Sequence, residues 1–124
     1  NIKSDISASF SGFAACSIDI ARILGNLIDN AIDAVVLNEE KELTLEIREK
    51  GSVLICSVGN RYFGSLEVLN KIFEPEFTTK ADSHNGIGLY VSRQLAKRLN
   101  GTLEYHLNPL DNIITFTLTI PGSK

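Results

Sequence analysis

The sequence contains no methionine and no tryptophan, and it has only two cysteines, Cys16 and Cys56, in 124 residues. Two cysteines without a short spacing form neither a zinc motif nor a redox pair, so we expect two buried free thiols in a reducing compartment. The chain begins at Asn1 rather than at a methionine. We therefore expect a fragment of a longer protein.

Long apolar runs and blocks of like charge are also missing. No stretch of about 18 apolar residues is present, so we expect no membrane-spanning helix and no direct membrane contact. The formal net charge is -3 and the basic residues are dispersed, which argues against nucleic acid as a partner. With 44% hydrophobic and 22% charged residues, residues 1–124 are expected to form a single globular domain.

Hydrophobic periodicity predicts the order of helices and strands. The predicted elements are a strand within 1–10, a long helix over 17–35, hairpin strands near 43–48 and 54–58, a short helix over 66–73, a helix over 87–99, and strands near 103–107 and 114–120. Asn100 and Gly101 are expected to end the last helix. This order predicts an α/β fold, a two-layer sandwich in which a mixed, mostly antiparallel sheet carries helices on one face.

A polar stripe runs along the predicted long helix. Asn26, Asp29, Asn30 and Asp33 follow at i, i+3, i+4 and i+7, and therefore share one helix face. Carboxamide and carboxylate oxygens suit Mg²⁺, which usually shares its coordination with water and substrate phosphates. A solvated polar face explains the stripe at least as well, so both interpretations stay open at this point.

Gly86-Ile87-Gly88 leads into the helix over 87–99. Glycines at a helix start let backbone N–H groups approach an anion, which indicates a phosphate-binding turn. The pattern is neither a P-loop nor a dinucleotide fingerprint, and a tight turn before a helix is an equal interpretation. Asn60 follows a predicted strand, with Gly64 four residues later. An ordinary loop is the alternative there.

Four segments occur in a fixed order: NLIDNAIDAV (26–35), a strand that ends in a polar residue and a glycine turn, FEPEFTTK (73–80) and NGIGLYVSRQLAKRLNG (85–101). Together they resemble the nucleotide-binding domain of the GHKL superfamily. That superfamily includes sensor histidine kinases, DNA gyrase, the mismatch-repair MutL proteins and the ninety-kilodalton heat-shock chaperones. The resemblance covers residues 17–120 and implies the Bergerat ATP-binding fold, with ATP and Mg²⁺ as cofactors.

The resemblance implies roles for individual residues. Asn30, with Asn26 one turn earlier, is expected to bind Mg²⁺, and both are catalytic candidates together with Lys80. Asn60 stands where the family has the aspartate that accepts a hydrogen bond from the adenine amino group. The usual D-x-G-x-G box is changed here at that position and at Tyr62. An amide oxygen can still accept this hydrogen bond, although it carries no charge.

The strap over 78–85 has no apolar anchor and corresponds to the ATP lid of the family, which must open and close. Thr79 and Lys80 are expected to reach the terminal phosphates, with Lys80 as a point charge. The other nucleotide-binding positions that the resemblance implies are Asn30, Asp33, Asn60, Gly64, Phe77, Gly86, Ile87, Gly88 and Leu89.

Asn26 separates the branches of the superfamily. ATP-hydrolysing members and anti-sigma serine kinases carry a glutamate there, and an amide cannot act as a general base. Sensor histidine kinases resemble this chain in having asparagine, and FTTK with IARILGNLIDNAIDA looks most like the quorum-sensing and citrate-type receptor kinases. We therefore expect a protein histidine kinase domain that binds Mg-ATP and donates the γ-phosphate to a histidine on a separate dimerisation domain.

The implied partners are ATP, the phosphoacceptor-histidine dimerisation domain of the same protein, and a response regulator. The expected location is the cytoplasmic side of a membrane-bound sensor. Two rivals are considered. A degenerate docking module, which binds a response regulator or another protein without useful ATP turnover, is motivated by Asn60 and Tyr62. A gyrase-like ATPase clamp is disfavoured by Asn26 and by the small size. Neither His84 nor His106 is assigned a catalytic role.

Overall fold

The computed structural model describes residues 2–7, 17–37, 42–62, 73 and 88–122. Its elements are β1 (Ile2–Ser7), α1 (Ser17–Leu37), β2 (Leu43–Lys50), β3 (Val53–Arg61), α2 (Gly88–Arg98), β4 (Thr102–Asn108) and β5 (Ile113–Pro121). Their order is the order that the sequence predicted. The predicted short helix over 66–73, apart from Phe73, and the strap over 78–85 lie outside the described residues.

The strands form one five-stranded sheet in the order β1-β2-β3-β5-β4. β1 pairs with β2 in parallel, whereas the other neighbouring strands pair in antiparallel fashion. A parallel pair needs a crossover connection, and α1 lies in the chain between these two strands. The predicted mixed, mostly antiparallel sheet is confirmed.

Buried side chains alternate along β3 and β5, so one face of the sheet is the core face. On β3 the core face carries Leu54, Cys56 and Val58, of which Cys56 is a buried free thiol as expected. Its counterpart Cys16 lies outside the described residues. Both helices cover this face, as predicted, and their buried apolar residues are Ile20, Ile23, Leu27, Ala31, Leu95 and Ala96.

The apolar residues from Ile20 to Val35 recur at i, i+3, i+4 and i+7, which predicts a wide apolar stripe on α1, but the buried stripe is narrower. Ile23 and Leu27 are buried in the core, whereas Ile32 is 45% exposed at the edge of the stripe. Within the described residues, no helix is both long enough and apolar enough to cross a membrane.

Asn100 and Gly101 terminate α2, as predicted. The left-handed position of such a helix end is usually a glycine, but here it is Asn100. Asn100 takes the left-handed conformation, with φ of 62°. The Gly101 N–H donates to the carbonyl of Ala96 at 2.8 Å and the Asn100 N–H donates to that of Lys97 at 3.0 Å, which is a Schellman motif. Glycine is required at Gly101 because an added Cβ would collide with the backbone of Thr119 on β5.

Candidate functional site

The polar stripe of α1 begins at a contact with α2. Asn26 is half-buried, and its Nδ2 donates a hydrogen bond to Ser92 Oγ at 2.9 Å. Ser92 is fully buried on the face of α2 that also contributes Leu95 and Ala96 to the core. Because the two polar atoms of a carboxamide point in divergent directions, this hydrogen bond turns Oδ1 of Asn26 away from α2.

The next residues of the stripe lie on the same helix. Asn30 follows Asn26 by one turn and is also half-buried, whereas Asp29 is exposed. Asp29 and Asn30 each take part in interactions within the protein. The backbone of Asp33 lies in α1, and its side chain is outside the described residues. The structure therefore places Asn26 and Asn30 on one face of α1, at the side that contacts α2.

Asn60 lies on the core face at the end of β3. The strand continues to Arg61, so Asn60 belongs to the strand rather than to the loop after it. Its side chain is 5% exposed, and its Nδ2 donates to the backbone carbonyl of Arg61 at 2.8 Å. In the part of the chain that the structure describes, no hydrogen-bond partner of Asn60 Oδ1 is present.

Asn60 and Ser92 are the two buried polar side chains of the described residues. Buried polar groups in proteins are normally hydrogen-bonded, and each of these two has a partner. In both hydrogen bonds the donor is an asparagine Nδ2, that of Asn26 to Ser92 and that of Asn60 to Arg61. The Oδ1 atom of each asparagine is therefore directed away from the hydrogen bond. The sheet and the helices thus present two oriented amide oxygens.

The chain after Asn60 is attached to the β4–β5 turn. The Tyr62 N–H donates to the carbonyl of Asn112 at 2.7 Å, and Arg61 Nη1 donates to the carbonyl of Asp111 at 3.1 Å. The Tyr62 ring packs against the core. Burial raises the pKa of Tyr62, and electrostatic interaction with Tyr105 raises it further. The Tyr62 backbone is thus fixed to the β4–β5 turn at the position where a D-x-G-x-G box would have its middle glycine.

Phe73 is the described residue of the FEPEF segment. Its ring centroid lies 6.2 Å from that of Tyr105 and 6.3 Å from that of Phe116, on the core face of β4 and β5. Arg93 of α2 covers the same ring, with Cζ 4.3 Å from the centroid, and Arg93 Nη2 also contacts Glu104 Oε1 at 3.0 Å. The segment therefore starts beside α2.

The N-terminus of α2 lies where the glycine pair predicted a helix start. Gly88 is the first helical residue, and Leu89 is half-buried against the core. The first turn of α2 has no acidic residue, and its last turn carries Lys97 and Arg98. This charge distribution complements the helix dipole, and no carboxylate of the first turn opposes an anion at the positive end. The remaining predicted positions lie outside the described residues, namely Gly64, Phe77, Thr79, Lys80, Gly86 and Ile87.

Sequence reasoning missed Ser92. Hydrophobic periodicity predicts an apolar stripe of Val91, Leu95 and Leu99 on α2, whereas the buried residues of this helix are Ser92, Leu95 and Ala96. Val91 and Leu99 are only half-buried. The sequence does indicate that Ser92 is buried, because it lies three residues before Leu95 and four before Ala96 and so shares their helix face.

The comparison with known families gives a direct assignment. A family model described as the GHKL domain matches residues 16–121. This chain belongs to the GHKL domain family, and the predicted resemblance is confirmed.

The chain is also similar to several sensor kinases. It is 33% identical to a probable C4-dicarboxylate sensor kinase of Halalkalibacterium halodurans, over 86% of this chain and 20% of that protein. It is 33% identical to the sensor histidine kinase DpiB of Escherichia coli, over 87% of this chain and 20% of that protein. The sensor histidine kinase CitA of Klebsiella pneumoniae is likewise 33% identical, over 82% and 19%. The chain thus spans about a fifth of the length of these relatives.

Solved structures agree with this assignment. The catalytic domain of the histidine kinase ThkA has a TM-score of 0.71 and is 25% identical, with 98% of this chain and 76% of that chain covered. The histidine kinase AdeS of Acinetobacter baumannii, at 19% identity and a TM-score of 0.70, supports the fold over 99% of this chain and 54% of that chain. The predicted two-layer α/β fold is confirmed.

Proposed function

We propose that this chain binds Mg-ATP and donates the γ-phosphate to a histidine on a separate dimerisation domain of a sensor kinase. The observation that carries this proposal is the pair of oriented amides in a GHKL fold. The Nδ2 atoms of Asn26 and Asn60 are each engaged within the protein, so their oxygens are the atoms offered to a ligand. The sensor kinase relatives support the same role.

Asn60 is proposed to recognise adenine. Its Nδ2 donates to the Arg61 carbonyl, which leaves Oδ1 to accept a hydrogen bond from the adenine amino group. Asparagine can therefore replace the usual aspartate, although without its charge. A guanine carbonyl at the same place would face this oxygen, acceptor against acceptor, so we expect discrimination against GTP.

Asn26 and Asn30 are proposed to hold Mg²⁺. Amide oxygens are suitable ligands for this hard cation, and the half-buried side chains lie one turn apart on α1. The described residues contain no cluster of three or more His, Cys, Asp or Glu side chains. Two amide ligands fit a cation whose other ligands are water and phosphate oxygens. When bound, Mg²⁺ supplies neutralisation of phosphate charge.

The N-terminus of α2 is proposed to bind phosphate through the backbone N–H groups near Gly88 and Leu89. The helix dipole favours an anion there, and no acidic side chain of the first turn opposes it. On sequence grounds, Gly86, Ile87, Thr79 and Lys80 are proposed to contact the phosphates, with Asp33, Gly64 and Phe77 as further nucleotide contacts.

Phosphoryl transfer is proposed to use a histidine from outside this chain. The imidazole nitrogen attacks the γ-phosphorus, the bond from that phosphorus to the bridging oxygen breaks, and ADP leaves. Asn26 provides no general base for water, so transfer to the imidazole is favoured over hydrolysis. A response regulator as the next acceptor and a location on the cytoplasmic side of a membrane-bound sensor complete the proposal.

The docking-module alternative rests on the changes at Asn60 and Tyr62. The contacts of Asn60 argue against it. Asn60 keeps an oriented acceptor at the end of β3, whereas the backbone contact of Tyr62 only holds Tyr62 itself at the β4–β5 turn. A domain without nucleotide would have no physical need for the first of these features.

A thermodynamic cycle that combines one protein variant with one nucleotide analogue tests the adenine contact. Calorimetry would compare ATP with purine riboside triphosphate, which lacks the 6-amino group, on the 124-residue wild-type chain and on Asn60→Ala. We expect Asn60→Ala to weaken ATP binding about tenfold and to leave binding of the purine analogue within about twofold. Equal effects on both nucleotides would remove Asn60 from the adenine site.

A further inference from the structure

We propose that Ser92 is a positioning residue that orients the Asn26 amide toward the cation of bound Mg-ATP. This inference rests on the proposed function. Ser92 lies 66 residues from Asn26 in the chain, and its Oγ accepts a hydrogen bond from Nδ2 at 2.9 Å across the contact between α1 and α2.

The burial of Ser92 makes it a fixed reference point. The residue is completely inaccessible to solvent, and it lies among apolar neighbours such as Leu95 and Ala96 on α2. A buried hydroxyl without a partner would be costly, so the hydroxyl and the Asn26 amide satisfy each other. Because Ser92 is inaccessible to solvent, a water molecule could replace Asn26 as its partner only by entering the contact between α1 and α2.

Orientation matters because the two ends of a carboxamide have opposite effects on a cation. The last torsion of an asparagine side chain is broad and roughly two-fold, so an unrestrained amide presents either its oxygen or its nitrogen. In the structure Nδ2 faces α2 and donates to Ser92 Oγ, so Oδ1 faces away from α2. Only Oδ1 can coordinate Mg²⁺.

Ser92 also links the two parts of the proposed nucleotide site. It follows Gly88 by four residues, about 6 Å along the helix axis. The same short segment of α2 therefore carries the proposed phosphate-binding N-terminus and the residue that orients the Asn26 amide. Mg²⁺ and the phosphates must be placed relative to each other, and this hydrogen bond fixes α1 against α2 at that point.

The test measures ATP binding by calorimetry with Mg²⁺ and in excess EDTA, on the 124-residue chain. We expect Ser92→Ala to weaken binding about five- to tenfold in Mg²⁺, the effect of one lost hydrogen bond, and less than about twofold in EDTA. Ser92→Thr, which keeps the hydroxyl, should restore most of the Mg²⁺-dependent part. Ser57→Ala makes the same chemical change on the opposite sheet face and should change neither value.

A second readout needs no nucleotide. In ¹⁵N-resolved spectra the side-chain NH₂ signals of Asn26, assigned by their loss in Asn26→Ala, should move in Ser92→Ala and return toward wild-type positions in Ser92→Thr. If Ser92→Ala fails to fold, Ser92→Cys provides the same comparison, because a thiol accepts hydrogen bonds weakly at similar volume.

The outcomes separate the two proposals. Wild-type binding that needs Mg²⁺, combined with an unchanged or Mg²⁺-independent loss in Ser92→Ala, overturns the positioning role and leaves the proposed function intact. A folded wild-type chain that binds no ATP overturns both. A Mg²⁺-dependent loss that threonine rescues, together with the shifted Asn26 signals, supports Ser92 as the positioning residue.

Discussion

Arg93 lies over the ring of Phe73, with its Cζ 4.3 Å from the ring centroid. Arg93 also pairs with Glu104 of β4, and Phe73 packs against Tyr105 and Phe116. One arginine thus joins α2, the edge strand β4 and the start of the FEPEF segment. The proposed phosphate-binding end of α2 lies on the same helix, so its position depends on these contacts.

Removing this charge should destabilise the domain modestly. We expect Arg93→Gln to lower the free energy of unfolding by about 1 kcal/mol, because a partly exposed cation–π contact and an exposed ion pair are each worth less than that. Urea denaturation would measure it. Arg22→Gln, which removes an exposed arginine on α1, is the matched control and should change stability by less than about 0.5 kcal/mol. Equal effects in both variants would show that neither the Phe73 contact nor the Glu104 ion pair contributes measurable stability.

Two glycine-to-alanine changes should have opposite signs. Gly101→Ala should destabilise by about 2 kcal/mol or more, because the new Cβ meets the Thr119 backbone and lies 2.6 Å from Ile120 Cδ1. Gly25→Ala adds a methyl group in open space within α1 and should stabilise by about 0.5–1 kcal/mol through helix propensity. Thermal or urea unfolding of both variants tests the pair. Stabilisation by Gly101→Ala would contradict the close approach of α2's end to β5.

Cys56 should make stability depend on alkaline pH. Burial raises the pKa of the Cys56 thiol from 9.0 to about 11. The unfolded chain therefore loses this proton first, so the contribution is fully present below pH 9 and is lost as the pH rises toward 11. Between pH 8 and pH 10.5 we expect a loss on the order of 2 kcal/mol.

Comparison with Cys56→Ala isolates this effect. The variant should be less stable at pH 8, since a buried side chain is shortened, but its stability should fall less between pH 8 and pH 10.5 than that of the wild type. Urea titrations at several pH values would measure both curves. Parallel curves would show that the thiol does not titrate in this range.

A glutamate in place of Asn26 should introduce hydrolysis. Asn26→Glu places a carboxylate, a possible general base, where the wild-type chain has an amide. We expect slow release of inorganic phosphate from ATP, above the rate of the wild-type chain. Asn26→Gln has the same length without the base and should show no such release. If Asn26→Glu and Asn26→Gln released phosphate at the same rate, the missing general base would not explain why hydrolysis is slow.

The elements were predictable because their patterns are local. Strand alternation at Leu54, Cys56 and Val58 and the apolar stripe of α1 report which side of each element is buried. The strand alternation was confirmed, and the stripe was confirmed except at Ile32, which is exposed. β3 ends at Arg61, three residues later than its apolar pattern suggested. Asn60 continues the alternation as a buried polar residue, which a hydrophobic pattern cannot register.

The contacts of the site could not be predicted in the same way. The hydrogen bond from Asn26 to Ser92 joins residues 66 positions apart, and no local pattern specifies which polar atoms meet across two helices. The collision that requires glycine at Gly101 likewise depends on where β5 passes. The resemblance to GHKL proteins identified the family, whereas the oriented amide of Asn26 became visible only in the packed structure.

The most direct test of the account is a calorimetric titration of the wild-type chain with ATP, performed once with Mg²⁺ and once with excess EDTA. We expect saturable binding in the micromolar to millimolar range that weakens when Mg²⁺ is removed. A correctly folded sample that binds no ATP under either condition would contradict the proposed kinase role, and the docking-module interpretation would then be favoured.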